Sequence, residues 1–292
     1  MPRPRRSPDN ARARSRWLGP GVAATAVALL CSGCSWTFGQ TKGITTQSHL
    51  EFRLWFGMMI AGIVVAIIVW ALIFWSIFRY RRKNDRMPKQ FQEHIGLELT
   101  YTIIPLILVL VIFGFTVVVE NNIDNVLKPP DVVVDVTAYQ WGWIFQYSRP
   151  GPDPGVNCVT SPGECVTIET ATGAAPSALA KSYTSPLYPQ LVLPVHATVR
   201  VFLRSHDVIH GFYVHALNFS RYAQPGVVNE FEFNPTVVGV FPGQCTQYCG
   251  LYHSEMLFSV RTVTPGQFQT WFAQQEQKLK AEPVFQSYVV RR

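Results

Sequence analysis

Apolar and polar positions along this chain fall into distinct regimes, and each predicts a different kind of structure. From Phe52 to Phe78 the residues are apolar with one charge, Arg53, at the edge. As a helix these 27 residues reach roughly 40 Å, enough to cross a bilayer with tilt. Leu99 to Val119 carries no charge, and its 21 residues reach about 31 Å. Pro105 is tolerable there, because neighbouring helices and Thr102 can satisfy the carbonyl a proline leaves free. Residues 51–120 are therefore expected to form a membrane α-helical hairpin of two transmembrane helices. Beyond Asp131 the pattern changes to short β-branched and aromatic runs, VVVDVTAYQ, ECVTIET, ATVRVFLRS, VVNEFEFNP and MLFSVRTV, punctuated by breakers such as PGPDPG at 150–155. Such runs predict an all-β Greek-key sandwich over 121–265. Thr264-Pro265-Gly266-Gln267 then reads as a helix start, with Thr as N-cap, Pro at the first helical position and Gln completing a capping box. That helix should run to about Lys280 with Phe268, Trp271 and Phe272 on its packing face, within a C-terminal helix and tail of 266–292.

The first residues belong to neither regime. An Arg-rich stretch at 3–16 precedes the apolar run GVAATAVALL at 21–30, too short to span a bilayer, so residues 1–33 read as a signal peptide. The following LCSGC at 30–34 is similar to a bacterial lipoprotein processing site, which would make Cys34 the lipidated start of the mature chain. Cys31 stands where that pattern usually has Leu. Ordinary cleavage or an uncleaved anchor is the alternative. Residues 34–50 are then an external N-terminal segment.

The net charge of +7 invites a nucleic-acid reading, but its distribution argues against one. Residues 1–33 carry +5, residues 34–119 carry +4, and residues 120–292 carry −2. The excess thus sits in the targeting segment and in the loop 79–94, which holds Arg79, Arg81, Arg82, Lys83, Arg86 and Lys89. Positively charged loops stay on the cytoplasmic side, so both ends of the hairpin and the β domain face outward.

The densest chemistry lies in GQCTQYCGLYHSEM at 243–256. Cys245, Cys249, His253 and Met256 offer two thiolates, an imidazole and a thioether, and His210 in SHDVIHGF offers a second imidazole. Such soft ligands select copper over magnesium, calcium or manganese. One Cys, two His and a weak Met would suit a single-copper electron-transfer site, whereas a second Cys suggests two coppers bridged by two thiolates. A disulfide or a structural zinc are the competing readings of the C-x3-C pair alone, and the added His253, Met256 and His210 argue for copper.

This loop, the upstream DVIH, the run QWGWIFQY at 140–147 and the two apolar spans together resemble subunit II of the haem-copper cytochrome c oxidases, over roughly residues 50 to 265. The resemblance implies a cupredoxin-like domain holding a dinuclear copper A centre. In it Cys245 and Cys249 bridge both metals, His210 and His253 each bind one, Met256 is a weak ligand, and the backbone carbonyl of Gln247 completes the set. It further implies that electrons from a cytochrome c, or from a cytochrome c-bearing bc-type complex, pass to haem in subunit I. There oxygen is reduced to water, coupled to proton transport. Subunits I and III and membrane lipid are the implied partners, and the bacterial cell membrane the implied location. Trp141 is marked as the point where electrons enter, against the plainer reading that Trp141, Trp143, Phe145 and Tyr147 are only the core and surface aromatics of a strand. Glu98 falls where the family has the mouth of a proton pathway, although an ionisable group at a span's end is equally consistent with solvation among headgroups.

Many relatives have Glu in place of Gln247. A neutral amide is a poorer ligand for a hard cation, which puts a magnesium ion at the contact with subunit I in doubt. With Cys245 and Cys249 assigned to copper and Cys31 and Cys34 to the signal region, Cys158 and Cys165 are left as partners for an external disulfide. His49, His94, His196, His206 and His215 match no role in the motif. No C-x-x-C-H haem attachment motif occurs. Two other functions compete: a quinol oxidase subunit II that has lost its copper, against which the full ligand set argues, and a membrane-anchored copper-binding or copper-carrier protein, which has no need of the hairpin, Glu98 or QWGW.

Overall fold

The structure, a computed structural model, describes residues 37–83, 87, 90, 92–126, 129–148, 165–168 and 188–281. The expected signal peptide, Cys34, and Cys158 of the expected disulfide lie outside the described residues. Compact units divide at Gln40, and everything described below belongs to Thr41–Arg292.

Two long helices come first. Helix α1 spans Thr46–Arg79, 34 residues, starting ahead of its first long apolar run because a cap lies there. Thr45 Oγ1 accepts the Ser48 N–H at 3.0 Å while Ser48 Oγ accepts the Thr45 N–H at 2.9 Å, a reciprocal pair that satisfies two of the donors a helix start leaves free. Helix α2 spans Ile95–Ile123, 29 residues, with Pro105 inside it. Its start is closed by His94, whose Nδ1 accepts the Leu97 N–H at 3.2 Å, and by Glu98, whose Oε1 accepts the His94 N–H at 3.1 Å. Both helices are long and apolar enough to cross a membrane, and their most apolar stretches are 0% buried by the rest of the chain. A protein surface this apolar needs lipid or other subunits around it.

Ten strands follow: β1 Val132–Tyr139, β2 Gly142–Ser148, β3 Cys165–Ile168, β4 Gln190–Pro194, β5 Val199–Ser205, β6 His210–Val214, β7 Phe219–Ala223, β8 Asn229–Phe233, β9 Gly239–Cys245 and β10 Leu257–Val263. They form two five-stranded sheets, ordered β3-β2-β1-β5-β8 and β4-β10-β9-β6-β7. Neighbours are antiparallel except β1 with β5 and β4 with β10. In β2, Trp143, Phe145 and Tyr147 share one face by the two-residue period of a strand, and all three are buried between the sheets. Trp143 meets Phe212 edge-on at 5.7 Å, and Phe212 stacks on Phe258 at 4.9 Å. Tyr147 also meets the Val192 backbone, donating to its carbonyl at 3.0 Å and accepting its N–H at 2.8 Å. Helix α3, Pro265–Ala281, has the expected reciprocal Thr264–Gln267 cap. Its Phe268, Trp271 and Phe272 lie against Tyr147.

The outer ends of the two membrane helices meet the same sandwich. Ahead of α1, the Ile44 N–H donates to the Ala216 carbonyl at 2.9 Å and the Thr236 N–H to the Ile44 carbonyl at 2.7 Å. Gln47 on α1 exchanges side-chain and backbone hydrogen bonds with Asn234, each 3.1 Å. Asp124, just past α2, pairs with Arg221 of β7. The N-terminal end of α1 and the C-terminal end of α2 therefore lie on the side of the β domain, and the basic segment 79–94 connects the opposite ends.

Candidate metal centre

Strand pairing gathers the residues of the loop and of the upstream histidine. His210 opens β6 and Cys245 closes β9, and these strands pair with Phe212 opposite Cys245. The Thr246 N–H donates to the Gly211 carbonyl at 3.0 Å, holding the two ends side by side. A Cβ on Gly211 would lie 2.9 Å from the Gln247 backbone nitrogen, so this close approach requires glycine. The loop from Thr246 to Met256 then closes on itself, with the Cys245 N–H donating to the Met256 carbonyl at 3.0 Å. Gly250, at φ +117°, turns the chain back, and a short 3-10 turn at His253–Glu255 presents His253.

The donor atoms converge. Ligand atoms of His210, Cys245 and Cys249 all lie within 4.8 Å of one another, and all three residues are buried. Cys245 Sγ is 3.9 Å from Cys249 Sγ, 4.0 Å from His210 Nδ1 and 3.2 Å from the Gln247 carbonyl oxygen. Cys249 Sγ is 3.5 Å from His253 Nδ1 and 3.8 Å from Met256 Sδ. Both cysteines are free thiols. All six ligand positions named from the sequence are thus drawn around the two sulfurs, with one histidine beside each. This soft set suits copper, and the near-complete burial of His210 (0% exposed), Met256 (1%) and Cys249 (3%) keeps water from it.

Electrostatics distinguish the two thiols. Burial disfavours the thiolate of Cys245, but the adjoining His210 and the Gly211 N–H outweigh it, so its pKa is lowered. Burial followed by the nearby Cys245 charge pushes Cys249 up to about 12. For His210, burial opposes the cation, yet contact with Cys245 and Asp207 raises its pKa overall. In the metal-free protein Cys249 therefore keeps its proton at neutral pH, and a metal that needs its thiolate must displace that proton. Apparent copper affinity should rise by at least about tenfold per pH unit around neutrality, one proton being displaced from Cys249 and any proton on His210 adding to the slope. Competition with a chelator at stepped pH checks this, and a flat profile would contradict it.

Asp207 and Gln140, to which the sequence reading gave no role, adjoin the cluster, as does Trp141. Asp207 Oδ1 lies 2.9 Å from His210 Nε2, on the side of the ring away from Cys245. Gln140 Nε2 donates to the Cys249 carbonyl at 2.7 Å, and Trp141 Nε1 donates to the same oxygen at 3.1 Å. A Cβ on Gly250 would meet Gln140 Nε2 and the Trp141 ring at 3.2 Å, which explains a glycine where the loop touches the β1–β2 turn. Asp207 and Gln140 lie inside the runs DVIH and QWGW, so their signal was adjacency to His210 and Trp141. Trp141 is half-buried and meets Tyr252 edge-on at 5.0 Å, unlike the enclosed Trp143. Glu98 stands exposed in the first turn of α2, at the end remote from this domain, and is not part of the cluster. Cys165 begins β3.

The family model of the periplasmic domain of cytochrome c oxidase subunit II matches residues 132–263, and that of its transmembrane domain matches residues 35–117. The chain is 35% identical over 310 residues to cytochrome c oxidase subunit 2 of Mycobacterium tuberculosis, covering 93% of this chain and 85% of that one. It belongs to the cytochrome c oxidase subunit II family. To the probable cytochrome c oxidase subunit 2 of Mycobacterium leprae it is 36% identical, covering 89% of this chain and 85% of the relative. The solved periplasmic domain of subunit II of cytochrome oxidase from Bradyrhizobium japonicum is similar at 27% identity and a TM-score of 0.41, over 52% of this chain and 98% of that one. As a cytochrome c oxidase subunit II, the chain is a membrane protein with a periplasmic domain. It works within a haem-copper terminal oxidase, an oxidoreductase with further subunits. The cluster of His210, Cys245 and Cys249 is consistent with a copper site in that domain.

Proposed function

We propose that this subunit would hold a dinuclear copper A centre through the thiolates of Cys245 and Cys249, with His210, His253, Met256 and the Gln247 carbonyl. On this reading it accepts electrons from a cytochrome c, or from a cytochrome c-bearing bc-type complex, and delivers them to haem in subunit I. The observation that carries the reading is the pair of free thiols 3.9 Å apart with an imidazole against each. When bound, the copper pair supplies a one-electron relay whose charge is spread over two metals. The sandwich contributes rigidity, since His210 and Cys245 sit on paired strands and Met256 immediately precedes β10. Buried side chains exclude water from the sulfurs. Trp141 links the surface to the loop through its hydrogen bond to the Cys249 carbonyl, while Ile209, Tyr248, Leu251 and Tyr252 stand exposed nearby as an apolar contact surface for the donor.

Both outer helix ends meet the β domain, and the basic segment lies at the other end, which favours an outward-facing domain on the bacterial cell membrane with residues 79–94 inside. Glu98 then lies at the cytoplasmic end, where a proton-pathway role with subunit I is geometrically open to it. The neutral Gln247 side chain offers no carboxylate for magnesium at the subunit I contact. A copper carrier would need no such fixed hairpin. Copper content of the purified oxidase tests the proposal. Wild type should hold two more coppers per complex than a Cys245→Ser, Cys249→Ser double variant. A difference of one, or stoichiometric zinc in wild type, would refute a dinuclear site.

A further inference from the structure

Asp207 faces two ways. Its Oδ1 lies 2.9 Å from His210 Nε2 and accepts the Val208 N–H at 2.6 Å. Its Oδ2 accepts the Gln140 N–H at 2.7 Å, across 67 residues of sequence. One carboxylate thereby holds the ring of a metal-side histidine and the backbone of the turn that carries Trp141. The geometry of the ring matters: His210 Nδ1 points toward Cys245 Sγ while Nε2 points toward Asp207. An imidazole whose Nε2–H is held by a carboxylate leaves the Nδ1 lone pair free and aimed at a metal. From the other side of the turn, Gln140 Nε2 and Trp141 Nε1 both donate to the Cys249 carbonyl. The β1–β2 turn is therefore clamped at its backbone by Asp207 and at its side chains by the metal loop.

We propose that Asp207 is a positioning residue that fixes, with its two oxygens, both the His210 tautomer facing the copper centre and the location of Trp141 against that centre. This inference rests on the copper reading above. It makes the two functions separable. In an Asp207→Asn variant the single amide oxygen should sit at the Oδ1 place, where two donors, His210 Nε2–H and the Val208 N–H, meet it. The amide NH2 then faces the Gln140 N–H, so the grip on the turn is lost while the grip on the histidine is kept. Alanine removes both.

The test compares wild type, Asp207→Asn and Asp207→Ala in the assembled oxidase. Three readouts are needed: copper retention against a chelator, copper hyperfine structure by electron spin resonance, and reduction by the natural donor against reduction by a small artificial reductant. Asp207→Ala should retain copper about 10–100-fold less tightly, with altered hyperfine structure, as for losses of other groups that orient metal-bound histidines. Asp207→Asn should keep wild-type copper retention and hyperfine structure. Its reduction by the donor should nevertheless slow, by up to about 100-fold if Trp141 shifts by about 1 Å, while reduction by the small reagent is unchanged. Wild-type copper retention in Asp207→Ala overturns the role at His210. Loss of copper from Asp207→Asn to the same degree as Asp207→Ala, or unchanged donor kinetics in Asp207→Asn, overturns the two-sided assignment. Absence of a copper signal from the unmodified oxidase would instead strike the copper reading itself.

Discussion

Replacing Cys249 with serine should reduce oxidation of the natural donor to the background of an oxidase that lacks copper in this subunit. Cys249 Sγ stands at the middle of the donor set, 3.9 Å from Cys245 Sγ, 3.5 Å from His253 Nδ1 and 3.8 Å from Met256 Sδ. A serine hydroxyl stays protonated where a thiol can ionise, and its oxygen is a harder donor, so on the proposed reading copper would lose a thiolate and not merely a contact. The sandwich should survive the change, because its aromatic centre of Trp143, Phe212 and Phe258 lies between the sheets and owes nothing to the sulfur. Met256→Leu forms the contrast. It conserves volume at a buried position, costing less than about 1.5 kcal/mol, and removes the group proposed as a weak ligand, so it should move the reduction potential while copper stays bound. Turnover with the donor, copper content and thermal unfolding of the three proteins check these outcomes together. Near-normal turnover in Cys249→Ser would contradict a bridging role for that sulfur.

Trp141→Ala should slow reduction by the donor while leaving the copper spectrum and oxygen reduction from a small artificial reductant intact. The indole donates to the Cys249 carbonyl and packs edge-on against the exposed Tyr252, so it connects the outer surface to the metal loop. Truncating a tryptophan central to an interface commonly costs about 2 kcal/mol or more, about 30-fold in affinity for the donor. Trp143→Ala, two residues away, should behave differently. Trp143 is fully buried, and a large-to-small change there costs roughly 3–5 kcal/mol, so the expected result is a lowered unfolding midpoint and disturbance of every activity alike. Stopped-flow reduction by donor and by small reductant separates the two. Unchanged donor kinetics in a well-folded Trp141→Ala oxidase would leave that residue as an ordinary surface aromatic.

The candidate metal ligands were legible because most of them lie within one loop, where spacing and ligand type speak without a fold. The membrane helices were legible for a similar reason, since an uninterrupted apolar run signals a span by itself. Their ends were less so: α1 starts at Thr46, ahead of the predicted Phe52, because the Thr45–Ser48 cap is polar and carries no hydropathy signal. Strands β4, β6, β7 and β9 were missed. β9 reads GVFPGQC, whose two glycines and proline look like a loop, and only its pairing with β10 and β6 makes it a strand. β6 and β7 are five residues each, and β6 begins with His-Gly at the point where the strand serves the metal site. Asp207 was hidden for another reason. Its contact with His210 depends on the turn between β5 and β6, and its contact with Gln140 joins distant parts of the chain, so its place in the run DVIH marked it without showing either contact. The hydrogen bonds of Gln140 and Trp141 to Cys249 cross 109 and 108 residues in the same way.

Electron spin resonance of the oxidised oxidase, with copper assigned to this subunit by comparison with the double cysteine variant, tests the dinuclear centre most directly. The expected spectrum is that of one unpaired electron shared equally between two copper nuclei, present in wild type and absent from the variant. A spectrum of a single copper with one strongly bound thiolate, or a silent subunit carrying stoichiometric zinc, would contradict the account.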